Sequence, residues 1–427
     1  MIIEKPSAKE LLADSEIQDL LSEGFAKYNL TDKRILLIIP DDSRTAPIAA
    51  LFRILYPLLS EKVKRLDFLI ACGTHPPMNK EVINRHIGIT AEQRKTTYAK
   101  TKFFNHEWNH PDQLEVIGKI DAEEMEAYSN GLMHDPIDIT INNNIFDYDR
   151  LIVLGPTYPH EVVGFSGGNK YFFPGIAGPG IIDMTHWLGA LITNPVINGI
   201  KETPVRKMID KAASMIPVER LCISLVVKEG GLAGLFFGTP EEAFSKAADL
   251  SAQLHIIHTD RPYQRVLSCA PKMYSDIWTA GKCMYKLEPV VADGGELIIY
   301  APHIRQVSIT HGAVIEQIGY HTRDYFIKQM DRFSRIPRMV MAHATHVKGI
   351  GTYENGIERP RIRVHLATQI PEAVCKKINL GYIDPNTIRI EDWQNREDEG
   401  ILVVPRAGEI LYRLKEDPFH QNFEIVS

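Results

Sequence analysis

The chain has 427 residues, 44% of them apolar and 24% charged, and Lys+Arg 48 against Asp+Glu 54 gives a formal net charge of -6. This composition excludes a disordered or collagen-like chain, and at roughly 150 residues per domain the length suggests two or three domains with room for a cleft between them. No apolar run approaches the roughly 18 to 20 residues needed to cross a bilayer, and no Lys/Arg run is long enough for a nucleic-acid footprint, so neither a membrane nor a nucleic-acid partner is expected. The N-terminus MIIEKPSAKELLADSEIQDLL lacks a basic region followed by a continuous apolar one, so the expected address is cytoplasmic. Cys72, Cys222, Cys269, Cys283 and Cys375 are odd in number and scattered, which suits neither a disulfide framework nor a cysteine zinc site.

Short apolar runs recur along the chain, each leading into a polar or glycine-rich turn and then a helical pattern, as parallel strands of an α/β fold do. Arg34 to Pro40 runs into Asp41-Asp42-Ser43-Arg44, and a helix is predicted from Pro47 to Leu59, with Pro57 kinking or ending it. Leu66 to Cys72 runs into Gly73-Thr74-His75, and Leu151 to Leu154 into Gly155-Pro156-Thr157-Tyr158-Pro159-His160. Arg265 to Ala270 is a fourth strand, followed by a helix from Asp276 to Val291 closed by Asp293-Gly294-Gly295 and a strand from Glu296 to Tyr300. The fold class is therefore α/β, read as two α/β domains with a cleft between them. A boundary falls near residues 255 to 265, separating residues 1–260, completed by about 385–427, from residues 261–384. In open α/β sheets ligands bind outside the carboxyl ends of the strands, which is where the polar turns lie.

The densest of these segments is Pro159 to His186, PHEVVGFSGGNKYFFPGIAGPGIIDMTH, with six glycines between Gly164 and Gly180 and with Lys170 directly after Ser166-Gly167-Gly168-Asn169. Such glycines let backbone approach a ligand closely, but the spacing fails the Walker pattern because Tyr171 follows the lysine. His106, in Asn105-His106-Glu107, and His160 could face each other across a cleft as acid and base. Asp41 to Arg44 offers carboxylates and a guanidinium fork for a carboxylate or phosphate, and serves equally well as a capping turn. Gly73, Thr74 and His75 form a similar turn able to hold a phosphate. Lys282 reads by itself as a solvated helical lysine, and His343-Ala-Thr-His346 as half of a metal site without the Glu and third ligand of a zinc protease.

Taken in order, DDSR, ACGTHPPM, FNHEW, GPTYPHEVVGFSGGNKYFFPGIAG, the following MTH and DIWTAGK resemble the nickel-dependent lactate racemase family along nearly the whole chain. The resemblance implies two α/β domains and a nickel-pincer nucleotide, a pyridinium mononucleotide with thioamide and thiocarboxylate sulfurs. It implies that Lys170 forms the tether, that His186 is the protein ligand to nickel, and that His106 and His160 are the acid and base. It further implies that Arg44 and Lys282 hold the substrate carboxylate, with Asp41 organising the Arg44 turn. The resemblance also implies that Gly73, Thr74 and His75 lie near the nucleotide phosphate and that Ser166, Gly167 and Gly168 belong to the cofactor loop. The implied activity is racemisation or epimerisation of a 2-hydroxy acid through a 2-keto acid by reversible hydride transfer, with cofactor maturation enzymes as partners. Where the family has Tyr-Gln before its substrate lysine, this chain has Trp278-Thr279, which removes an amide and enlarges the pocket, so a substrate other than lactate is expected. A carrier or storage protein for the nickel nucleotide is the non-enzymatic alternative. A 2-hydroxy-acid oxidoreductase with a soluble nucleotide is disfavoured for want of a Gly-x-Gly-x-x-Gly turn after a first strand.

Overall fold

A computed structural model describes residues 2–419. Its strands in chain order are β1 (Ile3–Pro6), β2 (Arg34–Pro40), β3 (Arg65–Ala71), β4 (Phe103–Asn105), β5 (Leu114–Ile120), β6 (Ile137–Asn142), β7 (Arg150–Pro156), β8 (Pro159–His160), β9 (Gly164–Phe165) and β10 (Glu219–Lys228). They continue with β11 (Gly231–Gly238), β12 (Ile256–Thr259), β13 (Tyr263–Cys269), β14 (Val291–Ala301), β15 (Gly351–Glu354), β16 (Ile357–Pro360), β17 (Arg363–Thr368), β18 (Gly381–Tyr382), β19 (Ile401–Val404) and β20 (Leu411–Leu414).

The first sheet has seven strands in the order β1-β11-β10-β7-β2-β3-β4. From β10 to β4 they run parallel, and β1 and β11 close one edge antiparallel. An apolar run without alternation is what a strand covered on both faces requires, and β2 shows why. Leu36 and Ile38 enter one core cluster, with Leu151 and Val153 of β7, while Ile35, Leu37 and Ile39 enter another on the opposite face. Each such side chain, fully buried, contributes roughly 1.5–3 kcal/mol of transfer free energy. From β2 the chain moves outward one way to β3 and β4 and the other way to β7 and β10, so the strand order reverses between β2 and β7. That reversal opens a crevice at the carboxyl ends of these strands.

The second sheet is all parallel, in the order β18-β17-β14-β13-β19, and reverses between β13 and β19. Part of the tail expected to complete the first unit belongs here instead, because β19 pairs with β13. β20 pairs with β12, which directly follows the helix Pro240–His255, and residues 420–427 of that tail lie outside the described residues. The expected helix from Asp276 to Val291 is instead two short turns, Ile277–Ala280 and Lys282–Tyr285, hinged at Gly281. A Cβ on Gly281 would lie 2.9 Å from Val347, so this glycine serves close packing against the helix Arg338–Lys348. Strand β14 starts at Val291 and runs through Asp293-Gly294-Gly295, with Gly294 at φ +72°, where a helix stop was expected. Pro57 sits in the last turn of the helix Ile48–Ser60 and does not end it. All five cysteines are buried and free. Among the described residues no helix is long and apolar enough to cross a membrane.

Candidate functional site

Parallel pairing sets the ends of β2 and β3 side by side, with Pro40 opposite Ala71, so their following turns meet. Gly73 takes φ +55°, and His75 comes to lie with Nδ1 2.5 Å from Asp41 Oδ2. Asp41 is buried, and its other oxygen accepts from the Ser43 hydroxyl at 2.7 Å. Burial alone would raise this carboxyl, but His75, Ser43 and Arg44 together hold it well below the usual range. With Nδ1 on the carboxylate, His75 has Nε2 available to a ligand.

Across the switch point, β7 leads into the β8–β9 hairpin. Ser166 braces this hairpin, its hydroxyl accepting from the Tyr158 amide at 2.9 Å and donating to the Pro156 carbonyl at 3.3 Å. His160 is buried, and its Nδ1 accepts from the Val162 amide at 3.1 Å. Burial and the nearby cations Lys170, Arg44 and Lys286 push its protonation well below the ordinary histidine value, so the ring is neutral at pH 7.

The loop carrying Lys170 is clamped from behind. Arg206, buried and stacked on Phe244, donates to the Phe165 carbonyl at 2.6 Å and the Gly167 carbonyl at 3.2 Å. Asn169 donates to Asp210 and Glu241 at 2.9 and 2.7 Å, so the next residue, Lys170, turns the other way into the cavity. Gly167, at φ +96°, would put a Cβ 2.4 Å from the Thr157 hydroxyl. Burial, reinforced by Arg44, pushes the Lys170 amine down to about 7, so a large fraction is neutral and nucleophilic near pH 7.

His186 lies on the helix Pro179–Ile192, and its Nδ1 donates to the Ile182 carbonyl at 2.7 Å. That bond leaves Nε2 with its lone pair, the tautomer a metal ligand needs. Burial holds the ring neutral by bringing its value down to about 4.

The second part of the chain closes the cavity. Asp276 accepts from the Thr279 amide at 3.0 Å and the Ile309 amide at 2.9 Å, fixing the turn that presents Trp278, Thr279 and Lys282. Trp278 is sandwiched between His311 and His343, at 4.4 and 4.2 Å between ring centroids. Burial and Arg44 bring Lys282 down to about 8. His343 and His346, both on the helix Arg338–Lys348, complete the wall, and His346 Nε2 has no hydrogen-bond partner.

Of the residues singled out in the sequence, Asp41, Arg44, Gly73, Thr74, His75, His160, Ser166, Gly167, Lys170, His186, Trp278, Thr279 and Lys282 line one cavity that opens to solvent. Two do not. His106 has no surface exposure and is absent from the lining; its Nε2 donates to the Ala177 carbonyl at 2.9 Å and its Nδ1 accepts from Asn142 at 3.2 Å. Both ring nitrogens are spent on the scaffold, and His106 does not face His160 as expected; the imidazole that shares the cavity with His160 after a first-sheet strand is His75. Gly168 is turned away too, and a Cβ there would meet Phe244 at 2.7 Å, so it serves helix packing. Sequence reasoning missed Glu161, Tyr171 and Tyr285 on the wall, although Glu161 stands directly beside His160.

Among the described residues no group of three or more His, Cys, Asp or Glu is arranged to hold a metal ion.

The model of the lactate racemase N-terminal domain matches residues 4–196. The chain is 24% identical over 314 residues to a lactate racemase of Thermoanaerobacterium thermosaccharolyticum and 23% identical over 307 residues to one of Lactiplantibacillus plantarum. Each match covers 70% of this chain and 65% or 66% of the relative, so the chain spans just under two thirds of the length of these curated relatives. A crystal structure of a Thermotoga maritima protein superposes with a TM-score of 0.87 at 33% identity, covering 95% of this chain and 99% of that one. The lactate racemase apoprotein of T. thermosaccharolyticum shares the fold with a TM-score of 0.70 at 19% identity, covering 97% of this chain and all of that one. Residues 4–196 thus match the lactate racemase N-terminal domain, and the fold as a whole is similar to that of a solved lactate racemase apoprotein.

Proposed function

We propose that the protein racemises or epimerises a 2-hydroxy acid by reversible hydride transfer through a 2-keto acid, using a nickel-pincer nucleotide carried on Lys170. The observation that carries this reading is the meeting, in one cavity, of a buried, partly neutral Lys170 and of His186 with Nε2 bare, together with the neutral His160 and the carboxylate-paired His75. The residues fit the group. A pincer brings its own sulfur and carbon donors to the metal and asks the protein for a single ligand, which His186 supplies, and a neutral amine is the form of lysine that can enter a thioamide. The turn Gly73-Thr74-His75, open around the position a Cβ on Gly73 would take, leaves space for a nucleotide phosphate. When bound, the group supplies a hydride acceptor, which spares the site from forming a carbanion at the substrate α-carbon.

The chain's own residues then bind, orient and move protons. Arg44 and Lys282, which both line the cavity, hold the substrate carboxylate, the guanidinium by its two-pronged geometry. His75 and His160 handle the hydroxyl proton, one for each enantiomer, with Asp41 orienting His75. Trp278 and Thr279 bound the space for the rest of the substrate, and the short Thr279 leaves room for a side chain longer or more polar than that of lactate. We read residues 1–260 and 261–384, with β19 added to the latter, as two units that meet at this cavity. Maturation enzymes that build and load the nucleotide are the expected partners.

The test is co-expression with nickel-pincer biosynthetic enzymes, followed by peptide mass mapping, nickel analysis and a screen of chiral 2-hydroxy acids. The expected result is an adduct on Lys170, about one nickel per chain, and interconversion of a substrate other than lactate. An unmodified Lys170 under conditions that load a lactate racemase overturns the cofactor assignment, and lactate as the sole substrate overturns the specificity.

A further inference from the structure

His160 Nδ1 faces two groups that make opposite demands on it. The Val162 amide donates to it at 3.1 Å, while Glu161 Oε2 lies 3.4 Å from the same atom. One ring nitrogen can serve only one of them at a time: with the amide it is bare and the ring proton sits on Nε2, and with the carboxylate it carries the proton and Nε2 is bare.

The two tautomers are not equivalent for chemistry. A ring protonated on Nε2 cannot accept a substrate proton there, and giving that proton up would leave an imidazolate. A base at Nε2, and the imidazolium formed when it takes a proton, both need Nδ1–H, and hence an acceptor for it. Balance is kept simply: the substrate O–H bond breaks, an Nε2–H bond forms, and Nδ1–H stays on the carboxylate throughout.

Glu161 is itself built to remain ionised. Its side chain is 15% exposed, and although burial would raise it, Lys286 and His346 hold it below the usual carboxylate range. Lys286 is buried, follows the turn Lys282–Tyr285, and donates to the carbonyl of Pro159, the residue before His160. A lysine from the second part of the chain thus steadies both the backbone and the counter-charge of a histidine from the first. His186 and His106 offer the contrast, each held in one tautomer by a carbonyl.

We infer that Glu161 is a positioning residue that converts His160 from the resting tautomer, bonded to the Val162 amide, into the Nδ1–H form that can exchange protons with substrate, and that Lys286 holds Glu161 for this task. The inference deepens the proposed function and rests on it for the role of His160, but its first readout does not need a turning-over enzyme. The cations and rings facing His160 are Lys170, Arg44, Lys286 and His186, so the carboxylate is the group that offsets them when the ring is charged.

The experiment is long-range proton–nitrogen NMR on the full-length apoprotein labelled at histidine, for the wild type, Glu161→Gln, Glu161→Asp and Lys286→Met, with His160 assigned by His160→Gln. The expected result is a wild-type His160 that exchanges between tautomers and protonates onto Nδ1–H, a Glu161→Gln ring held in the Nε2–H tautomer with protonation displaced to lower pH, and partial recovery in Glu161→Asp. Lys286→Met should shift the tautomer balance toward Nε2–H, as Glu161→Gln does but by less, while the loss of a neighbouring cation moves His160 protonation to higher pH. In cofactor-loaded enzyme, Glu161→Gln should lower kcat by on the order of 100-fold with little change in KM and alter the pH profile. A wild-type His160 fixed in the Nε2–H tautomer and unchanged by Glu161→Gln overturns the inference whatever the activity. The expected NMR pattern in a protein that takes up no cofactor and turns over no hydroxy acid overturns the proposed function and leaves the tautomer control standing.

Discussion

The carboxylate of Asp41, at the end of β2, lies 2.5 Å from Nδ1 of His75, after the end of β3. Two turns that look alike in the sequence are thereby joined into one acid and base assembly. Asp41→Asn should leave the fold intact and lower kcat by on the order of 100-fold or more, because the amide no longer enforces the proton on Nδ1. Steady-state kinetics on the loaded enzyme checks this. Stability supplies a second check. The folded value of Asp41 is depressed, so its contribution is complete above the ordinary carboxyl value of about 4 and is lost as pH falls through the folded value. The Tm gap between wild type and Asp41→Asn should therefore be open at pH 6 and narrow steadily below about pH 4.

His75 and His106 should separate cleanly by mutation. His106→Leu leaves the Ala177 carbonyl and Asn142 amide without their buried partner, which costs about 2 kcal/mol or more, while kcat of the folded fraction changes by less than about tenfold. His75→Asn should do the reverse, with Tm nearly unchanged and kcat lower by on the order of 100-fold. A kcat for His106→Leu as low as that of His75→Asn would return His106 to the reaction.

Lys170→Arg keeps a cation in the cavity and removes the amine. Nickel content after co-expression should fall to background, and intact mass should match the unmodified chain. Because the wild-type amine is pushed down to about 7, trapping of the apoprotein by a small amine-selective acylating reagent should rise through pH 6 to 8 at this position, well below the range in which surface lysines respond. Peptide mapping against pH distinguishes the two.

Thr279→Gln restores the amide that Trp278-Thr279 lacks and fills part of the cavity. The ratio of kcat/KM for lactate to that for a longer 2-hydroxy acid should rise by about 10-fold or more, since one pocket contact is worth roughly 1–3 kcal/mol. Equal changes for both substrates would show that position 279 does not bound the substrate side chain.

The strands β2, β3 and β7 were legible in the sequence because a strand covered on both faces must be apolar throughout, and their polar turns followed from the same rule. The glycine loop with Lys170, the MTH segment with His186 and the DIWTAGK segment with Lys282 were legible as motifs, though not the helix and the turn that carry the last two. The choice between His75 and His106 was not. Both follow short apolar runs, and the difference arises because β4 is an edge strand of three residues, after which His106 folds under the Asn142 and Ala177 layer while His75 is held at the cavity by Asp41. Nor could local pattern place His343 and His346, about 180 residues beyond His160, since only the packing of the helix Arg338–Lys348 on the helix Pro179–Ile192 brings them to the wall. Sequence by itself determined the strands, the turns and the kinds of chemistry on offer, because those depend on burial patterns within a few residues. Tertiary structure decided which imidazoles face the cavity and in which tautomer, because that depends on partners supplied by distant strands and helices.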